Sequence, residues 1–216
     1  MATPIGNLED VSPRALRVLR EADLIACEDT RRTRALLTHF DIHTPAVSYY
    51  EHNKLARGPA LLRRLELGGT VALVTDAGTP GISDPGFLLV RDARARGIRV
   101  VPVPGPSAVA AALSAAGLPA DRFLFEGFLP IKPGRRLNRL KALRELELTV
   151  VLYESPHRIL ATLEAVEAVW GGSEIVVARE LSKQFEEIVS APAGAHADRL
   201  RAAPIRGEFT VVLPAS

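Results

Sequence analysis

The stretch Val71-Ala-Leu-Val-Thr-Asp-Ala-Gly-Thr-Pro-Gly-Ile-Ser-Asp-Pro-Gly86 decides the reading of this chain. Val71 to Thr75 is a short apolar, β-branched run directly after the turn pair Gly68-Gly69, the signature of a strand buried on both faces of a parallel sheet. From Asp76 onward Gly78, Gly81 and Gly86 alternate with Pro80 and Pro85, so the backbone must turn repeatedly and can approach a ligand without β-carbons in the way. The carboxylates Asp76 and Asp84 and the hydroxyls Thr79 and Ser83 share that loop. In open α/β sheets ligands bind beyond the carboxyl ends of the strands, which is where this polar loop would lie. A plain strand-to-helix turn is the competing interpretation.

Working outward, strand and helix signals alternate. Ser12 reads as an N-cap with Pro13 in the first turn of a helix, Leu24 to Cys27 as a strand, and Thr30 to about His39 as a helix. Ala46 to Tyr49 is a weak strand before a helix through Leu67. Phe87 to Arg96 is helical, Gly97 stops it, and Arg99 to Val103 is expected to form the next strand. Pro104-Gly-Pro-Ser-Ala108 then leads into an Ala-rich helix from Ala108 to about Ala116 that Ser107 can cap.

Gly117-Leu-Pro-Ala-Asp121 combines helix-stop and turn signals and places a domain boundary between 1–116 and 117–216. The second half reads as strand Phe123 to Gly127, a basic loop, helix Arg135 to Leu146 and strand Thr149 to Tyr153. Beyond it come the loop Glu154-Ser-Pro-His-Arg158, a helix with Ile159, Leu163, Val166 and Val169 on one face, and strands Glu174 to Arg179, Gln184 to Ser190 and Gly207 to Leu213. This alternation gives an α/β protein with a parallel sheet in the first domain and a mixed sheet in the second.

Composition limits the function classes. With 216 residues, 47% hydrophobic and 24% charged, the chain has the profile of an ordinary soluble globular protein. Cys27 is the single cysteine, which excludes an internal disulfide and a cysteine zinc site and points to a buried thiol in a reducing cytosol. No apolar run reaches the roughly 18 to 20 residues that span a bilayer and no signal-peptide pattern opens the chain, so no membrane partner and a cytoplasmic location are expected. Gly-x-Gly-x-x-Gly, Gly-x-x-x-x-Gly-Lys, His-Glu-x-x-His and Gly-x-Ser-x-Gly are all missing, which removes the commonest nucleotide cradles and hydrolase sites.

The formal net charge is only +2, but basic residues cluster. Arg31, Arg32 and Arg34 follow Glu28-Asp29, and Lys132, Arg135, Arg136, Arg139, Lys141 and Arg144 precede Glu145. Such clusters contact phosphates, or they are solvated helix faces. His52, His157 and Arg158 fall in loops beside them, and Tyr49, Tyr50 and Phe128 are available to stack a base or to pack a core.

Several motifs occur in order: Thr3-Pro-Ile-Gly-Asn-Leu8 with Asp10, Ala26-Cys-Glu-Asp-Thr-Arg31, Asp76-Ala-Gly-Thr-Pro80 with Ile82-Ser-Asp-Pro-Gly86, Pro104-Gly-Pro-Ser-Ala108, Glu126-Gly-Phe-Leu-Pro130 and Tyr153-Glu-Ser-Pro-His-Arg158. In these the chain resembles the ribosomal RNA small subunit methyltransferase I family, of the tetrapyrrole-methylase fold group. The resemblance implies two α/β domains with S-adenosylmethionine held in the cleft between them, no metal, and 2′-O-methylation of cytidine 1402 in 16S rRNA by a homodimer acting on the 30S subunit. Family members usually have a strand before the Thr3 motif and often extend beyond the last strand.

Carried onto this sequence, the cofactor residues would be Pro4, Ile5, Gly6, Asp76, Ala77, Gly78, Thr79, Ile82, Ser107, Ala108, Tyr153, Glu154 and Leu181. Candidate bases for the ribose hydroxyl are Asp29, Asp76, Glu154 and His157, with Asp29, Glu154 and His157 carried forward as the catalytic set. RNA contacts would come from Arg31, Arg32, Arg34, His52, Lys132, Arg135, Arg136 and Arg158. A methyltransferase acting on a tetrapyrrole or other small molecule, and a non-catalytic RNA-binding assembly factor, are the alternatives.

Overall fold

A computed structural model describes residues 1–83 and 86–215. Asp84 and Pro85 of the central loop lie outside the described residues. The chain divides into two compact units, Met1–Ser107 and Ala108–Ser216, so the division falls at the start of the Ala-rich helix rather than after it.

In the first unit a single 3-10 turn, Leu8–Asp10, precedes α1 (Pro13–Glu21), β1 (Leu24–Cys27), α2 (Thr30–His39), β2 (Ala46–Ser48), α3 (Lys54–Glu66), β3 (Val71–Leu73) and α4 (Phe87–Ala95). The strands form a parallel sheet of order β2-β1-β3. Alternation along β1 builds two cores. Ile25 and Cys27 face Leu19 of α1 and Leu36 and Leu37 of α2, while Ala26 faces Leu61 and Leu62 of α3 and Leu89 and Ala93 of α4. Each such buried aliphatic side chain contributes about 1.5–3 kcal/mol. Helices on both faces explain why these strands are continuously apolar.

Met1–Thr3 runs beside β3. The Met1 amino group donates to Leu73 O at 2.8 Å, Ala2 N–H to Val103 O at 3.1 Å, and Thr3 and Gly78 exchange both backbone bonds. The expected strand Arg99–Val103 is not one. Its described bonding to Met1–Thr3 is that one bond to Val103 O, too little for a ladder, and Val100 and Val101 stay exposed.

The second unit holds α5 (Ala108–Ala116), β4 (Phe123–Phe128), α6 (Pro133–Arg144), β5 (Thr149–Glu154), α7 (Ile159–Trp170), β6 (Glu174–Arg179), β7 (Glu187–Pro192), α8 (Ala193–Arg201) and β8 (Phe209–Leu213). Its sheet has the order β4-β5-β8-β6-β7, with β4 and β5 parallel and the other pairs antiparallel. One face, through Val150, Leu152, Ile175, Val177, Val211 and Leu213, packs on α6, α7 and α8. On the other, α5 covers β8 and β7. Helix α8 has no counterpart in the expectation from sequence, and the preceding strand begins later than expected, at Glu187.

Candidate functional site

In the first unit the N-terminal segment, the loop after β3 and Pro104–Ser107 are tied together. Thr3 Oγ1 donates to Thr75 O at 3.0 Å, the Thr3–Gly78 bridge adds two backbone bonds, and Thr79 Oγ1 donates to Pro106 O at 3.4 Å. Gly78 has φ +80°, a region where an L side chain is strained. A β-carbon there would also sit 3.6 Å from Ile5 Cγ2 and 4.0 Å from Pro106 O. Of the sequence-predicted cofactor residues, Pro4, Ile5, Ala77, Thr79 and Ser107 are half-buried around that contact, Gly6 is exposed, and Ile82 exposes 40% of its surface.

The carboxylates beside this knot are committed to different degrees. Asp29 is the N-cap of α2: its Oδ1 accepts from Arg31 N–H at 2.8 Å, and the Arg31 guanidinium pairs with it at 2.8 Å. Those bonds hold its pKa down to about 2. Asp76 Oδ1 accepts from Asp29 N–H at 2.9 Å, while its Oδ2 lies 3.6 Å from Arg32 Nε. Burial, reinforced by the Asp76 charge, pushes the Glu28 carboxyl up, and burial does the same to the Cys27 thiol.

A hollow of about 190 Å³ opens here. Thr3, Pro4 and Leu8 of the N-terminal segment, Arg32, Thr33, Ala35 and Leu36 of α2, and Thr75 and Asp76 line it. Arg31, Arg34 and His52 lie exposed in the same unit, with the His52 ring 6.0 Å from Tyr50. Tyr49, in contrast, is core, at 2% exposure.

In the second unit the predicted residues from the loop after β4 to the loop after β5 differ in burial: Arg136 and Glu154 are buried, Tyr153 and Arg158 half-buried, and Lys132, Arg135 and His157 exposed. The Glu154 side chain is fully shielded. Its Oε1 accepts from Ser155 N–H at 2.9 Å and its Oε2 from Thr162 Oγ1 at 2.6 Å, and Arg158 Nε stands 3.4 Å away. Arg158 donates to Leu129 O at 2.5 Å. Arg136 donates to Thr162 Oγ1 at 3.4 Å and to Ile131 O at 3.3 Å.

Arg136 is therefore not a phosphate contact: at 6% exposure its guanidinium is turned into the protein. The spacing Arg136, Leu140, Leu143 already puts it on the apolar face of α6. Lys132 and Arg135 are exposed, as is His157 at the loop tip, while the Tyr153 ring packs against Phe125 at 4.8 Å and Phe128 at 6.0 Å. Ala108 opens α5, half-buried.

Leu181 is buried between Glu180 and Ser182, both in the left-handed region at φ 51° and 64°. Strain of that kind collects at ligand clamps, and no side-chain pattern announces it in the sequence. Among the described residues no group of three or more His, Cys, Asp or Glu is gathered as a metal ion would need, and no helix is long and apolar enough to cross a membrane.

Residues 2–196 match the family described as Tetrapyrrole (Corrin/Porphyrin) Methylases. The chain is 58% identical over 193 residues to ribosomal RNA small subunit methyltransferase I of Pseudomonas aeruginosa, covering 89% of this chain and 68% of that protein. It is 51% identical over 213 residues to the protein of the same name from Mesorhizobium japonicum, covering 98% and 72%. Among solved structures it superposes on a cobalt precorrin-4 methyltransferase of cobalamin biosynthesis with TM-score 0.72 at 18% identity, over 97% of this chain and 90% of that one, a likeness of fold alone. Identity at this level through nearly the whole sequence means that the chain belongs to the ribosomal RNA small subunit methyltransferase I family, within the tetrapyrrole methylases.

Proposed function

We propose that this chain methylates the ribose 2′-oxygen of cytidine 1402 in 16S rRNA, using S-adenosylmethionine, and that it does so in the cytoplasm as a homodimer acting on the 30S subunit. The observation that carries this reading is 47–58% identity to proteins named ribosomal RNA small subunit methyltransferase I. The solved structures whose titles name tetrapyrrole chemistry are only 18–20% identical and speak for the fold.

The residues present fit the cofactor. Gly78, left-handed and buried, offers backbone without a side chain, and Thr79 and Ser107 lie beside it. Ala77, Ile5 and Ile82 add apolar surface. Ala108, Tyr153, Glu154 and Leu181, which the resemblance also implies, belong to the second unit. When bound, S-adenosylmethionine supplies an electrophilic methyl group on a sulfonium sulfur, and displacement by an oxygen needs chiefly alignment.

The protein's part is to hold the ribose in line and take up its proton. Asp29, held near 2 by Arg31, is a weak base, and both Glu154 oxygens already accept hydrogen bonds. Asp76 is engaged by Asp29 N–H and faces Arg32, whereas His157 is exposed on the loop after β5 and makes no hydrogen bond or ion pair among the described residues, so the proton is assigned to His157.

Mass spectrometry of 16S rRNA tests the reading. Cells lacking the gene should lose one ribose methyl group, which the wild-type chain restores and Gly78→Val does not, its side chain costing about 1–2 kcal/mol of backbone strain at φ +80°. An unchanged methylation pattern in the deletion strain, or methylation of porphyrinoids in place of 30S subunits, would overturn it.

A further inference from the structure

The hollow of about 190 Å³ in the first unit is smaller than the roughly 300–1,000 Å³ of drug-sized sites, yet its volume admits one ring system. Its walls combine an apolar side, Leu8 and Leu36, with two charged groups at fixed places. Asp76 is held by Asp29 N–H at 2.9 Å through one oxygen, and its other oxygen points toward Arg32 at 3.6 Å. The Arg32 charge also acts on the Glu28 and Asp29 carboxylates, but beyond the Asp76 pair its guanidinium makes no hydrogen bond or ion pair among the described residues, and its side chain is 66% exposed.

One carboxylate oxygen 3.6 Å from the Nε of a guanidinium that carries further N–H groups can offer one acceptor beside two donors. Cytosine presents the complement along its Watson–Crick edge: the N4 amine donates, N3 and O2 accept. Uracil and guanine would set a carbonyl oxygen against the Asp76 carboxylate, and adenine lacks the second acceptor. Sequence-specific RNA recognition works on unstacked bases read along this edge.

We infer that this hollow is a base-reading pocket that receives one unstacked cytosine of the RNA substrate, with Asp76 accepting from its amine and Arg32 donating to N3 and O2. The inference rests on the reading of rRNA as substrate and adds to it the group that selects the nucleotide. Arg32 and Asp76 touch the base, not the reacting atoms, so they set specificity rather than chemistry.

The test uses the whole chain and its Arg32→Ala and Asp76→Asn variants. Methyl transfer is measured on unmethylated 30S subunits carrying cytidine or uridine at the target position, and S-adenosylhomocysteine binding is measured by calorimetry on the same preparations. The wild type should prefer cytidine subunits by roughly 10- to 100-fold, and each variant should lose about tenfold or more in kcat/KM on them, with S-adenosylhomocysteine binding unchanged in Arg32→Ala, whose residue lies outside the cofactor set. Asp76→Asn, whose amide donates as well as accepts, should narrow the preference for cytidine over uridine.

Wild-type kcat/KM in both variants, an unchanged preference in Asp76→Asn, or a parallel loss of S-adenosylhomocysteine binding in Arg32→Ala would overturn the inference, the last by giving the hollow to the cofactor. If Asp76→Asn fails to fold, Arg32→Ala decides alone, because its side chain is largely in solvent. A wild-type chain that binds S-adenosylhomocysteine but methylates neither subunit would overturn the functional reading itself, and the pocket with it.

Discussion

Asp76, shortly beyond β3, and Glu154, the last residue of β5, occupy matching places at the carboxyl ends of parallel strands, yet 21% of the Asp76 side chain is exposed and none of the Glu154 side chain is. Around Asp76 the bonds are to backbone and to a guanidinium that stays in water, so capacity remains for something arriving from outside. Around Glu154 the partners are Ser155, Thr162 and Arg158, with Arg136 behind them, and every bond points inward. Acid-plus-arginine motifs that look alike in sequence thus do different work. The first unit keeps its charges available, while the second uses them to fasten the loops after β4 and β5, through Leu129 O and Ile131 O, to α7.

The sharpest way to break this contrast is Glu154→Ala. It leaves Arg158 and Thr162 without their buried partner, and removing one member of such a pair costs about 3–5 kcal/mol, toward the lower end here because Arg158 is 25% exposed. Denaturant unfolding should show the second unit losing that much. A loss below about 1 kcal/mol would mean that the cluster is not what holds these loops.

Acid should separate the two units at different pH. His196 of α8 is 1% exposed with Nε2 3.3 Å from Ile175 O, and burial, aided by Arg199, pushes its pKa below the usual 6.5. The native state holds the ring neutral, whereas the unfolded chain takes up a proton at the ordinary value. Its stabilising contribution is therefore full above about 6.5 and lost as pH falls through the native value.

In the first unit the depressed carboxylates are Asp29, at about 2, and Asp23, which accepts from Thr70; burial also lowers the Met1 amino group, whose contribution is lost already as pH falls from about 8. The contribution of the two carboxylates is present above about 3.8 and is lost only as pH falls below it. Hydrogen exchange followed by mass spectrometry should show β6 amides losing protection at higher pH than β1 amides, with His196→Gln flattening the difference. The reverse order would refute the assignment.

Much of this architecture was legible, and the reasons are local. Asp29 as a cap fixes the start of α2, continuous apolar runs mark β1 and β6, and the Gly- and Pro-bent loop after β3 turns through positive φ at Gly78 and Gly81 as its composition predicts. Two misreadings came from non-local effects. Arg99–Val103 has strand composition, but a strand exists only where a partner completes its ladder. Helix α8, Ala193–Arg201, follows directly on β7 without a turn and reads as a connection until α7 packs against it.

The burial of Glu154 was illegible for the same reason. Its partners Arg158 and Thr162 lie nearby in sequence, but Arg136, which reaches Thr162 from α6, does not. For Arg136 the heptad-like spacing with Leu140 and Leu143 was the available signal, and the attraction of a basic run obscured it.

That run allows the smallest and most discriminating test. On α6, Arg136 is buried, Arg139 is held by both Glu126 oxygens at 2.7 and 2.6 Å, and Arg144 lies 6.0 Å from the centre of the Trp170 ring. Lys132, Arg135 and Lys141 are the exposed charges left to meet phosphates. Each phosphate contact contributes about 0.7–0.9 to the slope of log affinity against log salt. Arg135→Gln should reduce the slope for 30S binding by about that amount if it makes one contact. Arg139→Gln should leave the slope unchanged and cost under about 1 kcal/mol of stability, as exposed ion pairs do. Equal loss of slope in both variants would show that the Glu126 pair opens when RNA binds. The second unit would then also hold charge in reserve, and its contrast with the first would reduce to the Glu154 cluster.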